Sequence, residues 1–286
     1  MSVASEEISQ LKVLQTISSV YGQVASLWMS KTRDTVVTSR DYLAEMQQVF
    51  LTVFSSYIKK IRQLSNSKKK LGSEKITFLA HNGKKVTVLL SANGGFYGEI
   101  IKRTYDKFLE EVRQSDYEVV IVGKQGLASF LIDEPHRPYT YINFPDERTD
   151  QDKLLELIQH LVQYDQIRIH YPRYENLVTQ EPYVFALSAN PYDNLTEQEK
   201  ARYYLFEPDM ETILGFFEQQ IFSSLFEQTM NESHLAKSAA RIIVMDKAAD
   251  TIKKRISVIE RQEQKLKHQK SNRKQLNRFA SMKLWS

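Results

Sequence analysis

The chain has 286 residues, of which 42% are hydrophobic and 26% charged, so it can bury one large core or two ordinary ones. It contains no cysteine, which excludes disulfides, thiolate metal sites and cysteine nucleophiles. Its start does not have the pattern of a signal peptide, and no stretch reads as a membrane span, so we expect neither.

The net charge of +4 is unevenly distributed along the chain. Residues 251–286 contain eleven Lys or Arg and two Glu, a net charge of +9, so the first 250 residues carry −5. A basic segment of this kind can be a solvated helix face, or it can bind nucleic acid, anionic lipid or an acidic protein surface.

Residues 1–62 are predicted to form one long helix of a coiled coil. No glycine or proline lies between Gly22 and Gly72, and apolar residues recur in steps of three and four. At about 1.5 Å per residue, such a helix is too long for a compact domain to cover, so it needs a partner helix. The predicted buried stripe is Ile8, Leu11, Leu14, Ile17, Tyr21, Val24 and Trp28, followed by Tyr42, Met46, Val49, Val53, Tyr57 and Ile61.

Residues 63–75 are a polar, Lys-rich linker, and residues 76–205 alternate strand and helix patterns. This alternation predicts a parallel sheet in a Rossmann-like α/β domain. The predicted strands are 85–92, 117–122 and 139–143, the helices are 97–113 and 151–164, and a closing hairpin pairs 166–171 with 183–187.

Residues 206–286 are predicted to form a second long helix with a basic tip. Pro208 and Asp209 are suited to its first turn and cap. Two long terminal helices around a compact region predict an antiparallel α-helical coiled coil with the α/β domain inserted at one end. The periodic apolar residues are Ile213, Phe217, Ile221, Leu225, Met230, Leu235, Ile242, Met245, Ala248, Ile252, Ile256 and Ile259.

The glycine-rich stretch ANGGFYG, residues 92–98, follows a predicted strand and precedes a helix, where amide groups often bind phosphate. Its spacing matches neither GxGxxG nor the Walker loop, and Phe96 and Tyr97 would obstruct a pyrophosphate. The stretch therefore predicts a tight turn with glycine at positive φ.

Other catalytic motifs are missing from the sequence. The six histidines lack metal-ligand spacing, and neither HExxH nor GxSxG occurs. The carboxylates Asp133, Glu134, Asp146 and Glu147 fall in a predicted Pro-rich loop, where solvation is the simpler interpretation. We therefore expect no catalytic residue, metal or cofactor in this chain.

Four stretches, distributed in a fixed order over the chain, carry a family resemblance. LLSANGGFYGEIIKR (89–103) is similar to a strand and turn "vxSDrGLCGglNxxixk", and IVGKQG (121–126) to "xxGrKg". YLFEPDMETIL (204–214) is similar to "yxFEPsxexiL", and ESHLAKSAARIIVMDKAAD (232–250) to "SEhaaRmxAMxxAtxNA". Together they resemble the gamma subunit, or central stalk, of F-type rotary ATP synthases.

Three stretches depart from that family pattern. The basic N-terminal segment of the family appears only as residues 17–35, which retain Lys31 and Arg33. Its "NKxRQ" falls on residues 264–268 and retains only a lysine, and residues 278–286 lack "EIvxGAxAL". The resemblance would place these stretches inside the catalytic hexamer, which makes this chain a diverged member.

The resemblance implies a non-catalytic rotor shaft that couples rotation to conformational cycling of the hexamer and to ion translocation. The implied partners are a hexamer of catalytic and non-catalytic nucleotide-binding subunits, a small central-stalk subunit and a membrane rotor ring, at the cytoplasmic face of the cell membrane. No nucleic acid is expected. The residues expected to contact the hexamer are Lys31, Arg33, Arg241, Met245, Lys265, Lys267, Lys270, Arg273, Lys274, Phe279 and Trp285.

Two alternatives remain open at this point. The altered shaft segments would also suit a gamma-like rotor of an F1-like motor that hydrolyses ATP for another movement. The basic tail would also suit a nucleic-acid-binding protein with a coiled-coil spacer, whose binding would weaken steeply with salt.

Overall fold

A computed structural model describes residues 3–64, 82–146, 150–188 and 209–283. The chain divides into two units, one of Met1–Ser26 with Arg241–Ser286 (the coiled-coil unit) and one of Leu27–Ala240 (the α/β unit). The elements in chain order are α1 Val3–Leu64, β1 Lys85–Leu90, α2 Ile100–Gln114, β2 Glu118–Val122, α3 Lys124–Asp133, β3 Thr140–Ile142, α4 Gln151–Leu161, β4 Gln166–Tyr174, β5 Gln180–Ser188 and α5 Met210–Lys283.

The α/β unit is built on a five-stranded sheet in the order β3-β2-β1-β4-β5. The first four strands are parallel, and Val86 of β1 lies opposite Glu118 of β2 and Ile167 of β4. β5 closes the sheet as the antiparallel partner of β4. The predicted Rossmann-like parallel sheet and closing hairpin are therefore confirmed, although the sequence pattern missed α3.

Helices cover both faces of this sheet. On one face, Phe108 of α2 and Phe130 of α3 pack against Leu89 and Ile121. On the other face, α4 and α5 bury a larger cluster that includes Leu157 and several strand residues. Because the central strands are buried on both sides, they appear in sequence as continuous apolar runs.

The part of α1 that belongs to the α/β unit packs against the first turns of α5. Met46, Phe50 and Val53 of α1 form one cluster with Leu214 and Ile221 of α5. The contact is aromatic at its centre, where the Phe50 ring lies 6.4 Å from the ring of Phe217.

In the coiled-coil unit, α1 and α5 run antiparallel. A Cβ atom on Gly22 would lie 3.6 Å from the Cβ of Met245, and Nη2 of Arg255 lies 3.1 Å from Oε1 of Glu7. Met245 is only 5% exposed, and Ala25 is also buried. The predicted antiparallel coiled coil is thus confirmed, with a glycine at a point of close helix approach.

The predicted buried stripe of α1 is wrong at four positions in this unit, whereas Ile8 and Leu11 are half-buried. Leu14, Ile17, Tyr21 and Val24 are 39–50% exposed. The side of α1 that is buried or half-buried instead uses positions spaced by four and three, and most of these residues are small, which lets two helices approach closely. These positions are Leu11, Gln15, Ser18, Gly22 and Ala25. In the α/β unit, the stripe is wrong at Tyr42 and Val49, which are both 50% exposed.

On α5 the predicted apolar residues are all buried or half-buried, so that stripe is confirmed. In the α/β unit the predicted element ends differ by up to three residues: α2 starts at Ile100 rather than at Tyr97, and α4 ends at Leu161 rather than at Tyr164. Most of the predicted linker and residues 204–208 of the YLFEPDMETIL stretch lie outside the described residues.

We predict opposite effects of small and large side chains at Gly22. Gly22→Ala should stabilise the protein by roughly 0.5–1 kcal/mol, because alanine favours the helix and a Cβ at 3.6 Å is an ordinary contact. Gly22→Leu should destabilise it by about 1–3 kcal/mol, because a larger side chain forces the helices apart. Denaturant unfolding measures both, and Ser19→Leu at an exposed position of α1 is the control. Equal effects of the two leucine variants would contradict the close helix approach.

Candidate functional site

The end of α5 is a single basic helix. Glu7 near the start of α1 pairs with Arg255, so the residues of α5 beyond about 261 extend past the start of α1. Residues 264–278 are exposed on every side. Within them lie five of the predicted contact residues, namely Lys265, Lys267, Lys270, Arg273 and Lys274.

Solvent surrounds these cations, and one is already paired along the helix. Nζ of Lys267 lies 3.1 Å from Oε1 of Glu263, one turn earlier. An exposed pair of this type contributes little to stability, which leaves the segment free to contact acidic groups elsewhere. Residues 264–278, the basic tip of α5, therefore have the charge and exposure needed to bind an acidic protein surface.

The other predicted contact residues lie in different settings. Lys31 and Arg33 are exposed on α1, and Nζ of Lys31 lies 5.5 Å from the centre of the Trp28 ring. Arg241 is half-buried, and Met245 packs inside the coiled-coil unit. Phe279 belongs to α5 although its side chain is outside the description, and Trp285 lies outside the described residues.

In the α/β unit, the glycine-rich turn after β1 does bind an anion, and the anion is the chain's own carboxylate. Oδ2 of Asp146 accepts hydrogen bonds from the amide N–H of Asn93 at 2.8 Å and of Gly94 at 2.6 Å. The hydroxyl of Tyr97 donates to the same oxygen at 3.1 Å. These amides are the groups that would hold a phosphate, so the turn is already occupied.

Two side chains from α5 complete the Asp146 cluster. Nζ of Lys237 lies 3.5 Å from Oδ1 of Asp146 and donates to the carbonyl of Ser91 at 3.2 Å. Nδ1 of His234 lies 2.8 Å from the carbonyl oxygen of Asp146 and, because that oxygen can only accept, carries the proton. The side chains of Asp146 and Lys237 are only 9% and 6% exposed. We call Asn93, Gly94, Tyr97, Asp146, His234 and Lys237 the Asp146 clamp.

Burial and neighbouring charge shift the pKa of Asp146 in opposite directions. Burial would raise the pKa of Asp146, but Lys237 and the amides of Gly94 and Asn93 outweigh it and hold that pKa below its ordinary value. Burial lowers the pKa of His234 to about 3, so the ring is neutral at physiological pH. The clamp is therefore an ion pair with neutral hydrogen-bonding neighbours.

Two expectations from the sequence need correction here. Asp146 is buried and bonded to the turn rather than solvating a loop. The predicted positive φ at glycine is confirmed at Gly98, but the other turn residue with positive φ is the bulky Phe96 rather than Gly94 or Gly95. The sequence contained one signal for the clamp: an acidic residue after the third predicted strand can reach the carboxyl edge of a parallel sheet.

A second buried polar cluster lies between α2 and β4. His170 is 1% exposed, its Nε2 lies 3.1 Å from Oε2 of Glu111, and Nε of Arg168 lies 2.8 Å from Oε1 of the same carboxylate. Burial lowers the pKa of His170 to about 4 and raises that of Glu111. Among the described residues, no group of His, Cys, Asp and Glu could hold a metal ion. Within the same residues, every helix is too short or too polar for membrane spanning.

We predict that Asp146→Asn destabilises the protein by about 3 kcal/mol, because it removes the carboxylate that lies 3.5 Å from Nζ of the buried Lys237. Glu156→Gln on the exposed side of α4 is the matched control and should change stability by less than about 0.5 kcal/mol. Adding Lys237→Met to Asp146→Asn should recover part of the loss. Urea unfolding measures each variant, and a double variant no more stable than Asp146→Asn would contradict the ion pair.

We also predict that stability falls as the pH drops from about 6.5 towards 4, by up to about 1.4 kcal/mol per pH unit for each buried neutral histidine. The pKa of His234 is lowered on folding, so the unfolded state binds the extra proton in this range. His234→Asn keeps an N–H donor and should reduce the slope, whereas the exposed His268→Asn should not. Denaturant unfolding at several pH values is the measurement, and equal slopes for both variants would refute it.

Comparison with known proteins agrees with this architecture. The model of the family described as ATP synthase matches residues 2–270. The ATP synthase gamma chain of Chromobacterium violaceum is 22% identical over 275 residues, which cover 88% of this chain and 90% of that one. The gamma chain of Mycoplasma capricolum is 24% identical over 258 residues, covering 87% of this chain and 86% of the relative.

A solved structure shares the fold. A chain in the cryo-EM structure of the central stalk and c-ring of Tetrahymena thermophila mitochondrial ATP synthase matches with a TM-score of 0.57 at 17% identity. The match covers 81% of this chain and 99% of that chain. With the family model matched over residues 2–270, the chain belongs to the ATP synthase family, as a relative of its gamma chain.

Proposed function

We propose that this chain is the central-stalk shaft of an F1-type rotary ATPase, coupling rotation to conformational cycling of a nucleotide-binding hexamer and to ion translocation. The observation that carries the proposal is the antiparallel pairing of the two terminal helices in a chain matched by the family model over residues 2–270. The proposed partners are that hexamer, a small central-stalk subunit and a membrane rotor ring.

A shaft has to resist bending and twisting. Two helices wound together are stiffer than one, because their shared side-chain contacts fix the register between them. Rotation of an asymmetric shaft would present different contacts to each catalytic site in turn and so stabilise its conformations differently. In the coiled-coil unit, the close approach of Gly22 to Met245 favours one register, and the exposed Glu7–Arg255 ion pair is consistent with it.

The hexamer contacts would be divided between two helices. The exposed cations of α5 suit acidic loops that slide past a rotating surface. Attraction between opposite charges acts over several ångströms and does not require one fixed geometry. Lys31 and Arg33 on α1, Arg241 and Phe279 on α5, and Trp285 near the end of the sequence complete the proposed contact set. Met245 is left out of it, because it is buried against α1.

Catalysis would belong to the partner subunits. The glycine turn that could have held a phosphate is filled by Asp146, so the chain supplies no nucleotide site there. We place the protein peripherally, at the cytoplasmic face of the cell membrane, as part of the complex. The relatives' names favour ATP synthase over both a hydrolytic motor and a free nucleic-acid-binding protein.

We predict that the native chain co-purifies with a hexamer of nucleotide-binding subunits. Replacing Lys265, Lys267, Lys270, Arg273 and Lys274 with Gln should weaken this association about tenfold or more at low salt, since each exposed pair contributes about 0.2–1 kcal/mol. The difference from wild type should shrink at high salt. Titration of the purified hexamer with labelled chain measures the affinity.

The matched control is Lys102→Gln with Lys124→Gln, two exposed lysines of the α/β unit. It changes surface charge without touching the tip and should leave the affinity unchanged. A native chain recovered without any hexamer would overturn the proposed function. Hexamer binding that is insensitive to the five-residue change would instead remove the tip from the interface.

A further inference from the structure

The α/β unit has a cleft between α2 and the hairpin of β4 and β5, on the face of the sheet opposite to α5. Its volume is about 410 Å³, which is the size of sites that bind small molecules. One wall is a single face of α2, with residues spaced by three and four, and the other wall is the strand pair. We call it the α2–β4 cleft, and its charged or buried lining residues are Lys107, Glu110, Glu111, Arg168, His170 and Val184.

Two cations and two anions line this cleft, and they do not fully neutralise one another. The Glu111 carboxylate is held by Nε of Arg168 at 2.8 Å and lies 3.1 Å from Nε2 of His170. Arg168 is 41% exposed and uses Nε for this contact, which leaves its two Nη groups for a ligand. Nζ of Lys107 donates once, to the carbonyl of Pro182 at 3.2 Å. Among the described residues, the exposed Glu110 has no ion-pair partner.

The back of the cleft is a buried histidine with an unused acceptor. His170 is 1% exposed, and because burial lowers its pKa to about 4, the ring is neutral at physiological pH. Its Nε2 faces a carboxylate, which can only accept, so Nε2 carries the proton and Nδ1 is an acceptor. Within the described part of the chain, Nδ1 has no hydrogen-bond partner. A ligand with an N–H donor would supply one, and buried acceptors are rarely left without it.

We propose that the α2–β4 cleft binds a small zwitterion with one carboxylate, one ammonium group and an apolar side chain, which is the chemistry of an apolar amino acid. The ligand carboxylate would accept hydrogen bonds from the Nη groups of Arg168 and from Nζ of Lys107. Its ammonium group would face the Glu110 carboxylate, with Nδ1 of His170 as a further acceptor. Val184, which lies opposite His170 in the sheet, provides an apolar wall for the side chain.

The charges of the cleft separate this ligand class from simpler ions. An anion would be attracted by Lys107 and Arg168 but would lie beside Glu110 and Glu111, and a cation would meet the reverse problem. A ligand that carries both charges is attracted by both pairs. A metal ion does not fit either, because among the described residues no group of His, Cys, Asp and Glu could hold one. This site goes beyond the proposed shaft function and does not rest on it.

The test is equilibrium dialysis of the full chain against radiolabelled L-leucine. We expect one saturable site per chain with a Kd of about 1 mM or tighter. Isoamylamine is leucine without its carboxylate and isocaproate is leucine without its ammonium group, so each should compete at least about tenfold more weakly than L-leucine. No saturable site for L-leucine, or equal competition by either analogue, would overturn the inference.

Two variants remove one charge each from exposed positions of the cleft. Glu110→Gln and Lys107→Gln should each weaken L-leucine binding at least about fivefold, because each removes a charge-assisted contact. The matched controls are Asp106→Asn and Lys102→Gln, which make the same charge changes at exposed positions of α2 outside the cleft and should stay within about twofold of wild type. Urea unfolding checks that all four variants remain folded. Unchanged binding in both cleft variants would place L-leucine elsewhere and overturn the inference.

The analogues show which charge each residue recognises. In Glu110→Gln, L-leucine should lose most of its advantage over isocaproate, because the ammonium group no longer has its carboxylate. In Lys107→Gln, its advantage over isoamylamine should shrink instead. Variants that weaken L-leucine and both analogues equally would indicate a distorted cleft without charge recognition, which would also contradict the proposal.

Discussion

The structure depends on the close approach of two helices from opposite ends of the chain. Small residues on α1, with Gly22 next to Met245, let the helix axes come together, and the contact between Glu7 and Arg255 shows that the two helices run in opposite directions. Neither helix could be stable at such length in water alone, because most helix stability comes from tertiary contacts. In the coiled-coil unit, each helix is therefore stabilised mainly by its contacts with the other helix.

The α/β unit uses its own polar contact to join sheet and helix. The carboxyl edge of a doubly wound sheet is where such folds usually bind ligands. Here the Asp146 clamp fills that edge, and Lys237 and His234 reach it from α5. Because Lys237 and Asp146 are both buried, a change that removes only one of them would leave the other charge buried without it, which is costly. In other doubly wound folds this edge binds ligands, whereas here it anchors α5 to the sheet.

Some of this architecture could be predicted from residue order, and some could not. The stripe on α5 was predictable because its large apolar residues face the interior. On α1 the same rule selected Ile17 and Val24, which are exposed, because periodicity identifies an apolar row without saying which molecule covers it. The seam residue Gly22 is small and carries no hydrophobic signal. Asp146 was missed for a related reason, since its partners come from two distant parts of the chain, the turn after β1 and α5.

The misassigned row on α1 is also the most informative feature of the molecule. Leu14, Ile17, Tyr21 and Val24 form an apolar row, and the seam with α5 is filled by smaller residues such as Ser18, Gly22 and Ala25. The error in the sequence prediction thus has a physical cause, a second apolar row on a helix that already has a partner.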